Sequence, residues 1–294
     1  MKKNKYLLFL FVILVACAFS GCRLGEGDLS KVFPLVGKHA ENLSQATESF
    51  TPEQEYYLGR AVAAQIIQRY PVLKDDRANR YLNQVGQALA LCSPQPYTFA
   101  GYHFQLLDTA EVNAFAAPSG LIFITKGMVG LLSGESELAA VLAHEIAHVQ
   151  NGDAVKSIKA SRMTEAFLLL GKDTAGQYGS KLPGEQLLEV FSGSIDDMVN
   201  TLVSSGYSRS QEYGADAGAK EILTLAGYNP QALDSVLRTM EKRVPSGSSG
   251  LGSTHPSASD RLSAMKQTNF SPVQEPGARS SRFNTALGKY KSTR

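Results

Sequence analysis

The stretch LAAVLAHEIAHVQNGD, Leu138 to Asp153, sets His144, Glu145 and His148 among small and aliphatic residues. Histidines four residues apart on a helix leave one face a turn apart, and zinc accepts neutral imidazole nitrogens at about 2.0–2.1 Å. Glu145, next to the first of them, would reach a water beside such an ion rather than the ion itself. Leu138, Val141, Leu142, Ile146 and Val149, with alanines between, leave hardly any polar face, so the helix must be largely buried. Burying polar groups unpaired costs about 1–3 kcal/mol each, and a divalent cation would remove that cost. With 5 histidines in 294 residues, random order would yield H-E-x-x-H roughly 0.005 times. The plain alternative is two hydrogen-bonded core histidines and a chance glutamate.

Zinc catalysis needs a third protein ligand and an open position. SRSQEYGADAGAKEI supplies Glu212, with Asp216 one helical turn on. Taken alone, Glu212 is a ligand or a surface charge, and Asp216 is a partner of a ligand histidine or of Lys220 at i, i+4.

HEIAH with a downstream E-x-x-x-D, NAFAAPSG before GLIFITKG, and THPSASDR near the end together resemble the gluzincin metallopeptidases of the HtpX, BepA and CAAX prenyl endopeptidase type. The resemblance covers roughly Thr51 to Gln267. It implies one Zn2+ per chain, held by His144, His148 and Glu212, with Asp216 orienting a ligand histidine. Zinc would polarise the scissile carbonyl and lower the pKa of its water to about 7, while Glu145 takes the proton and passes it to the leaving amine. Asn113, Ala114, Phe115 and Ala116 would form the edge onto which an extended substrate adds as a strand. Ser119 stands where relatives carry glycine, which leaves the conformation of that loop in question. His255 and Arg261 match late positions of the family. The histidine would stabilise the tetrahedral intermediate or occupy the open coordination position; a helix-capping histidine beside Pro256 is the alternative. His39 and His103 receive no role, and Cys92 has no evident activating base.

The expected fold is α+β and predominantly α-helical, a minimal zincin-like catalytic domain whose small β-sheet carries an irregular substrate-binding edge strand. TPEQEYYLGRAVAAQIIQRY begins a helix with Thr51 as N-cap and Pro52 at the first position, and a second runs over about Asp75 to Leu91. Tyr102–Asp108 and Gly120–Val129 read as strands. Helices follow from Ser133, capped by that serine and ended by Asn151-Gly152. Others are expected near Val155–Leu170, Glu185–Ser205, Ser208–Ala226 and Pro230–Arg243, then a short one after His255.

The N-terminus carries a basic start, an apolar run from Tyr6 to Phe19 too short to span a bilayer, and then Ser20-Gly21-Cys22. This resembles the lipobox of bacterial lipoproteins. Cys22 is the favoured lipidation site; Cys17 in LVAC is the alternative, and an ordinary signal peptide the plainer one. The expected organisation is a lipoprotein signal peptide at 1–21, a tether at 22–50, a zinc metallopeptidase domain at 51–270 and a polar, loosely held tail at 271–294. A net charge of +2 gives no reason to expect nucleic acid. The partners implied are unfolded or misassembled envelope polypeptides, and the membrane through the N-terminal lipid anchor. The implied location is the outer membrane facing the periplasm. The rival function is a metal-stabilised chaperone or assembly factor with a latent peptidase.

Overall fold

The computed structural model describes residues 50–158, 191–244, 254–265 and 274–291. Cys17, Cys22, the signal and most of the tether lie outside them, as do the 159–190 part of the expected helical stretch and the loop at 245–253.

Helix α1 (Pro52–Arg69) starts with a capping box. The Thr51 side chain accepts from Gln54 N, and the Gln54 side chain accepts from Thr51 N in return. Helix α2 (Asp76–Leu91) is capped by Asp75, which accepts from Arg77 N and Ala78 N. The sheet holds β1 (His103–Leu107), β2 (Ala114–Ala117) and β3 (Leu121–Thr125) in the order β1-β3-β2, with β1 parallel and β2 antiparallel to β3. Strand β3 is shorter than the Gly120–Val129 expected from sequence, because at Lys126 the chain turns into helix α3 (Lys126–Leu131), capped by the Thr125 hydroxyl.

The outer edge of β1 is closed by side chains. Asn79, Asn83 and Gln87 recur every fourth residue of α2 and so share one face. Leu106 N donates to Asn79 Oδ1 at 3.0 Å and Phe104 N to Asn83 Oδ1 at 3.1 Å. Asn83 Nδ2 donates to the Phe104 carbonyl at 2.6 Å, and Gln87 Nε2 to that of Tyr102. At the strand's far end Leu73 N donates to Leu106 O. The β2 edge differs. Pairing of Asn113 with Thr125 fixes the parity of the ladder, so the backbone groups of Ala114 and Ala116 point away from β3. Pro118 ends β2 in a short 3₁₀ turn in which Ser119 sits at φ 62°. The serine thus adopts the left-handed conformation glycine takes freely, at a cost of about 1–2 kcal/mol.

Helix α4 (Glu135–Gln150) runs beneath the sheet and is buried over almost its whole length. Its cap corrects the sequence reading. Gly134, not Ser133, is the N-cap and has no side chain to offer, so the amides are satisfied from elsewhere. Ser136 N donates to the Glu275 carboxylate at 3.1 Å, and Ser133 N to that of Glu137 at 2.7 Å. The chain leaves α4 through Asn151 and the left-handed Gly152 into α5 (Asp153–Lys156).

After 190 come α6 (Ser192–Asn200), a π-helical turn (Thr201–Ser205), α7 (Arg209–Leu225) capped by Ser208, α8 (Ala232–Arg243) and α9 (Ala258–Ala264). Helix α7 lies along α4 at short range: a Cβ on Gly218 would stand 3.0 Å from that of Ala147. The sheet's two faces contribute to two apolar clusters, one built with α2, α4, α7 and α8, the other with α1, α6 and the π turn. No helix among the described residues is long and apolar enough to cross a membrane.

Residues 274–291 of the segment expected to be a loosely held tail are instead part of this body. Helix α10 (Gly277–Leu287) buries Phe283, Ala286 and Leu287. Arg282 pairs with Glu135, fully buried at the start of α4, which also accepts from Tyr81 OH at 2.8 Å and Tyr228 OH at 2.9 Å. Burial pushes the Glu135 carboxyl up, but hydrogen bonds from Arg282, Tyr81 and Tyr228 outweigh it and hold the group below its ordinary 4.5. A depressed carboxyl contributes stability that is present above the unfolded value and lost as pH falls through the folded one. Stability is therefore expected to drop below about pH 4.5. Urea midpoints taken from pH 7 to pH 3 should show that drop shrinking in Glu135→Gln; an unchanged profile would remove Glu135 from the account.

Candidate metal centre

His144 and His148 leave α4 on the face that meets α7, where Ser208 caps the helix and brings Glu212 into its first turn. All three are buried. Each histidine turns its Nδ1 to a carboxylate: His148 to Asp153 Oδ2 at 2.8 Å, His144 to Asp216 Oδ1 at 3.1 Å. With the ring protons held there, both Nε2 lone pairs point inward. They face each other at 3.1 Å. Glu212 Oε2 lies 3.6 Å from His144 Nε2, and Oε1 lies 3.5 Å from His148 Nε2.

Ligands at about 2.0–2.1 Å around a tetrahedral ion stand roughly 3.3 Å apart, so these three separations fit the edges of a zinc coordination shell. The protein alone does not satisfy these groups. Both Glu212 carboxylate oxygens and His255 Nδ1 are buried without a hydrogen-bond partner. His255 Nδ1 approaches Glu212 Oε1 to 2.7 Å, close in distance but not in hydrogen-bond orientation. Ligand atoms of His144, His148, Glu212 and His255 all lie within 4.8 Å of one another. The donor set and its orphaned oxygens fit a divalent cation.

Burial opposes charge on His148, yet hydrogen bonds to Asp153 and Glu212 push its pKa up to about 9. Burial raises Glu212, but the charge of His255, and then contacts with His144 and His148, hold it well below its ordinary value. Asp216 is likewise lowered against its burial, chiefly by Arg261. Protons therefore compete with a cation for these positions.

Glu145 is buried, on the same turn as His144. It faces a cavity of about 20 Å³, bounded also by Val141, Leu233, Val236, Met240 and His255, with room for about one water. The arrangement places a carboxylate, a water-sized space and a cation site side by side.

The structure thus brings Glu145, Asp216 and His255 to the same centre as His144, His148 and Glu212. Lys220 pairs with Asp234 at 3.0 Å and not with Asp216. The capping reading of His255 is not what is seen, since Ser257 caps α9. Asn113, Ala114, Phe115 and Ala116 lie along β2, but all four are buried, with the π turn packed beside the strand.

Three residues have parts that sequence reasoning did not assign. Asp153 orients His148; its signal was the rule that a ligand histidine needs a partner for its other nitrogen. Arg261 is buried and grips Asp216 through both Nε, at 3.0 Å, and Nη2, while Nη2 lies 3.3 Å from His144 Nδ1. Tyr207 lays its ring over His148, centroids 4.5 Å apart at 31°. No signal in a single sequence marks it.

Residues 76–269 match the model of a family described as peptidase family M48. The chain is 25% identical over 254 residues to a beta-barrel assembly-enhancing protease of Yersinia pestis, covering 84% of this chain and 51% of that protein. It is 24% identical over 256 residues to the protein of that name from Escherichia coli K12, covering 85% and 50%. A protease HtpX homolog of Salinibacter ruber is 30% identical over 189 residues, covering 55% and 66%. The chain spans about half the length of the beta-barrel assembly-enhancing proteases it matches.

Proposed function

Because the chain belongs to peptidase family M48, and is a metallopeptidase, we propose that it is a zinc-dependent endopeptidase cleaving unfolded or misassembled cell-envelope proteins. The observation that carries this is the pair of inward Nε2 atoms with two orphaned Glu212 oxygens, set beside Glu145 and its water-sized cavity. His144, His148 and Glu212 would hold the zinc. When bound, zinc supplies Lewis acidity to the scissile carbonyl and lowers the pKa of a water.

The chain's own residues do the rest. Glu145 takes the proton of the attacking water and delivers it to the leaving amine nitrogen. Asp153 and Asp216 keep the ring protons on Nδ1, and Arg261 fixes Asp216. An extended substrate pairs with the backbone of Ala114 and Ala116, while that of Asn113 and Phe115 faces β3; for this, whatever buries β2 has to move aside, and Asn113 Oδ1 has to give up the Ala114 N–H it accepts from at 2.9 Å. Main-chain pairing would make selection depend on an unfolded backbone more than on side chains.

The envelope assignment rests on the basic start, apolar run and Cys22 of the N-terminus, and on relatives named for beta-barrel assembly. In this reading 1–21 is a lipoprotein signal peptide, 22–50 a tether, and the catalytic domain begins near residue 51 and includes α10. Cys22 carries the lipid that holds the protein to the outer membrane on its periplasmic side.

One observation favours a second reading, a chaperone or assembly factor with latent peptidase. His255 is the fourth member of the ligand cluster and so takes the place substrate and water would need. In the endopeptidase reading this is a resting state from which His255 withdraws.

The test is metal content together with cleavage of a denatured, alkylated protein by the full chain. One zinc per chain, cleavage abolished by chelation and its return on adding zinc are expected. Cleavage that persists without metal would overturn the reading, and bound zinc without cleavage would favour the chaperone.

A further inference from the structure

Tyr207 occupies the joint between the π turn and α7. Gly206 before it has φ 73°, and a Cβ there would stand 2.0 Å from the Thr254 carbonyl. The chain can therefore pass under the segment carrying His255 only as glycine. Ser208 after it caps the helix that bears Glu212. Tyr207 is thus tied to the rigid element holding a metal ligand, and it is stacked on a second ligand, His148.

Its hydroxyl is buried and has no hydrogen-bond partner. A buried O–H left unsatisfied costs about 1–3 kcal/mol, and a stacking role for the ring would be met equally by phenylalanine. A phenolic O–H is a donor at neutral pH. Because it does not bond Glu145 or Asp153, its proton is available to something that arrives.

We propose that Tyr207 is a catalytic residue: its hydroxyl donates a hydrogen bond to the scissile carbonyl oxygen as that oxygen gains negative charge in the tetrahedral transition state. This rests on the endopeptidase reading. No covalent bond is made or broken at the tyrosine; it contributes a preorganised donor in a water-poor site. Substrate added along β2 passes the π turn packed against that strand, which brings its backbone toward Tyr207. If the π turn moves about Gly206 to admit substrate, Tyr207 remains with α7.

The experiment compares wild type with Tyr207→Phe, both zinc-loaded and full-length. Three quantities are measured: thermal midpoint and zinc content, kcat and KM on an unfolded protein, and the affinity of a phosphinic peptide that mimics the tetrahedral anion. Expected are an unchanged midpoint and zinc content, kcat lower by about 10²-fold at similar KM, and at least about ten-fold weaker phosphinate binding. Wild-type kcat and phosphinate affinity in Tyr207→Phe overturn the assignment, and so does a loss of zinc that accounts for the loss of rate. A wild type that neither cleaves nor binds the phosphinate overturns the endopeptidase reading, and this proposal with it. A wild type that does both while Tyr207→Phe equals it overturns Tyr207 alone.

Discussion

Glu145→Gln is expected to retain its zinc and its melting temperature and to lose cleavage of unfolded protein by about 10²–10⁴-fold. Glutamine keeps the shape of the side chain and its fit against the cavity walls, so neither fold nor access changes. It cannot take a proton from water at neutral pH, nor return one to the leaving amine. Metal content is the discriminating control, because the cation is assigned to His144, His148 and Glu212 and not to Glu145. Equal cleavage by wild type and variant would sink the mechanism. A fall in zinc alongside the fall in rate would mean that Glu145 is a ligand, contrary to its place facing the water-sized cavity.

A chain ended after Gln274 is expected not to fold stably. That cut removes Phe283, Ala286 and Leu287, all buried, and opens the apolar surface they fill. Deleting large buried side chains costs about 2–5 kcal/mol each. It also strips Glu135 of Arg279 and Arg282, leaving a buried carboxylate with only the hydroxyls of Tyr81 and Tyr228; a buried charge without its partner costs about 3–5 kcal/mol. The Glu275 carboxylate that accepts from Ser136 N goes too. Together these losses rival the whole stability of a typical domain, about 5–15 kcal/mol. Thermal unfolding followed by circular dichroism should show no cooperative transition, or one far below that of the full chain. A truncated chain with the full-length midpoint would show that α10 is an ornament on the domain.

The parts of the site that could be read from sequence are those whose chemistry is local. His144, Glu145 and His148 share two turns of one helix, and the apolar residues between them announce its burial. Glu212 and Asp216 were legible as a pair one turn apart, but their assignment needed a family pattern, because nothing along the chain ties α7 to α4. What escaped depends on approach in space. Arg261 matters because α9 lands beside Asp216. Tyr207 matters because a turn at Gly206 slides it under His148. Asp153 was within reach, five residues past His148, but it lies just beyond the helix end expected at Asn151-Gly152 and so drew no role. The C-terminal helix was missed because one narrow stripe, Phe283, Ala286 and Leu287, carries its burial, while serines and basic residues around it read as solvent-facing. The cap of α4 shows the same limit: Ser133 was the obvious candidate, yet Gly134 holds the position and the acceptor comes from Glu275.

The row of amides that α2 lays against β1 has a consequence for how many guests the sheet can take. A sheet with two bare edges is divalent: one unfolded chain could join it on the left and another on the right, and a crowded solution of such chains would stitch copies of the protein into a network. Asn79, Asn83 and Gln87 occupy the backbone of β1 with groups that cannot be passed on to a neighbour. On the proposed reading, in which substrate adds along β2 alone, the sheet is left with a valency of one. An enzyme of that kind can bind a client without becoming the template on which clients and enzyme precipitate together.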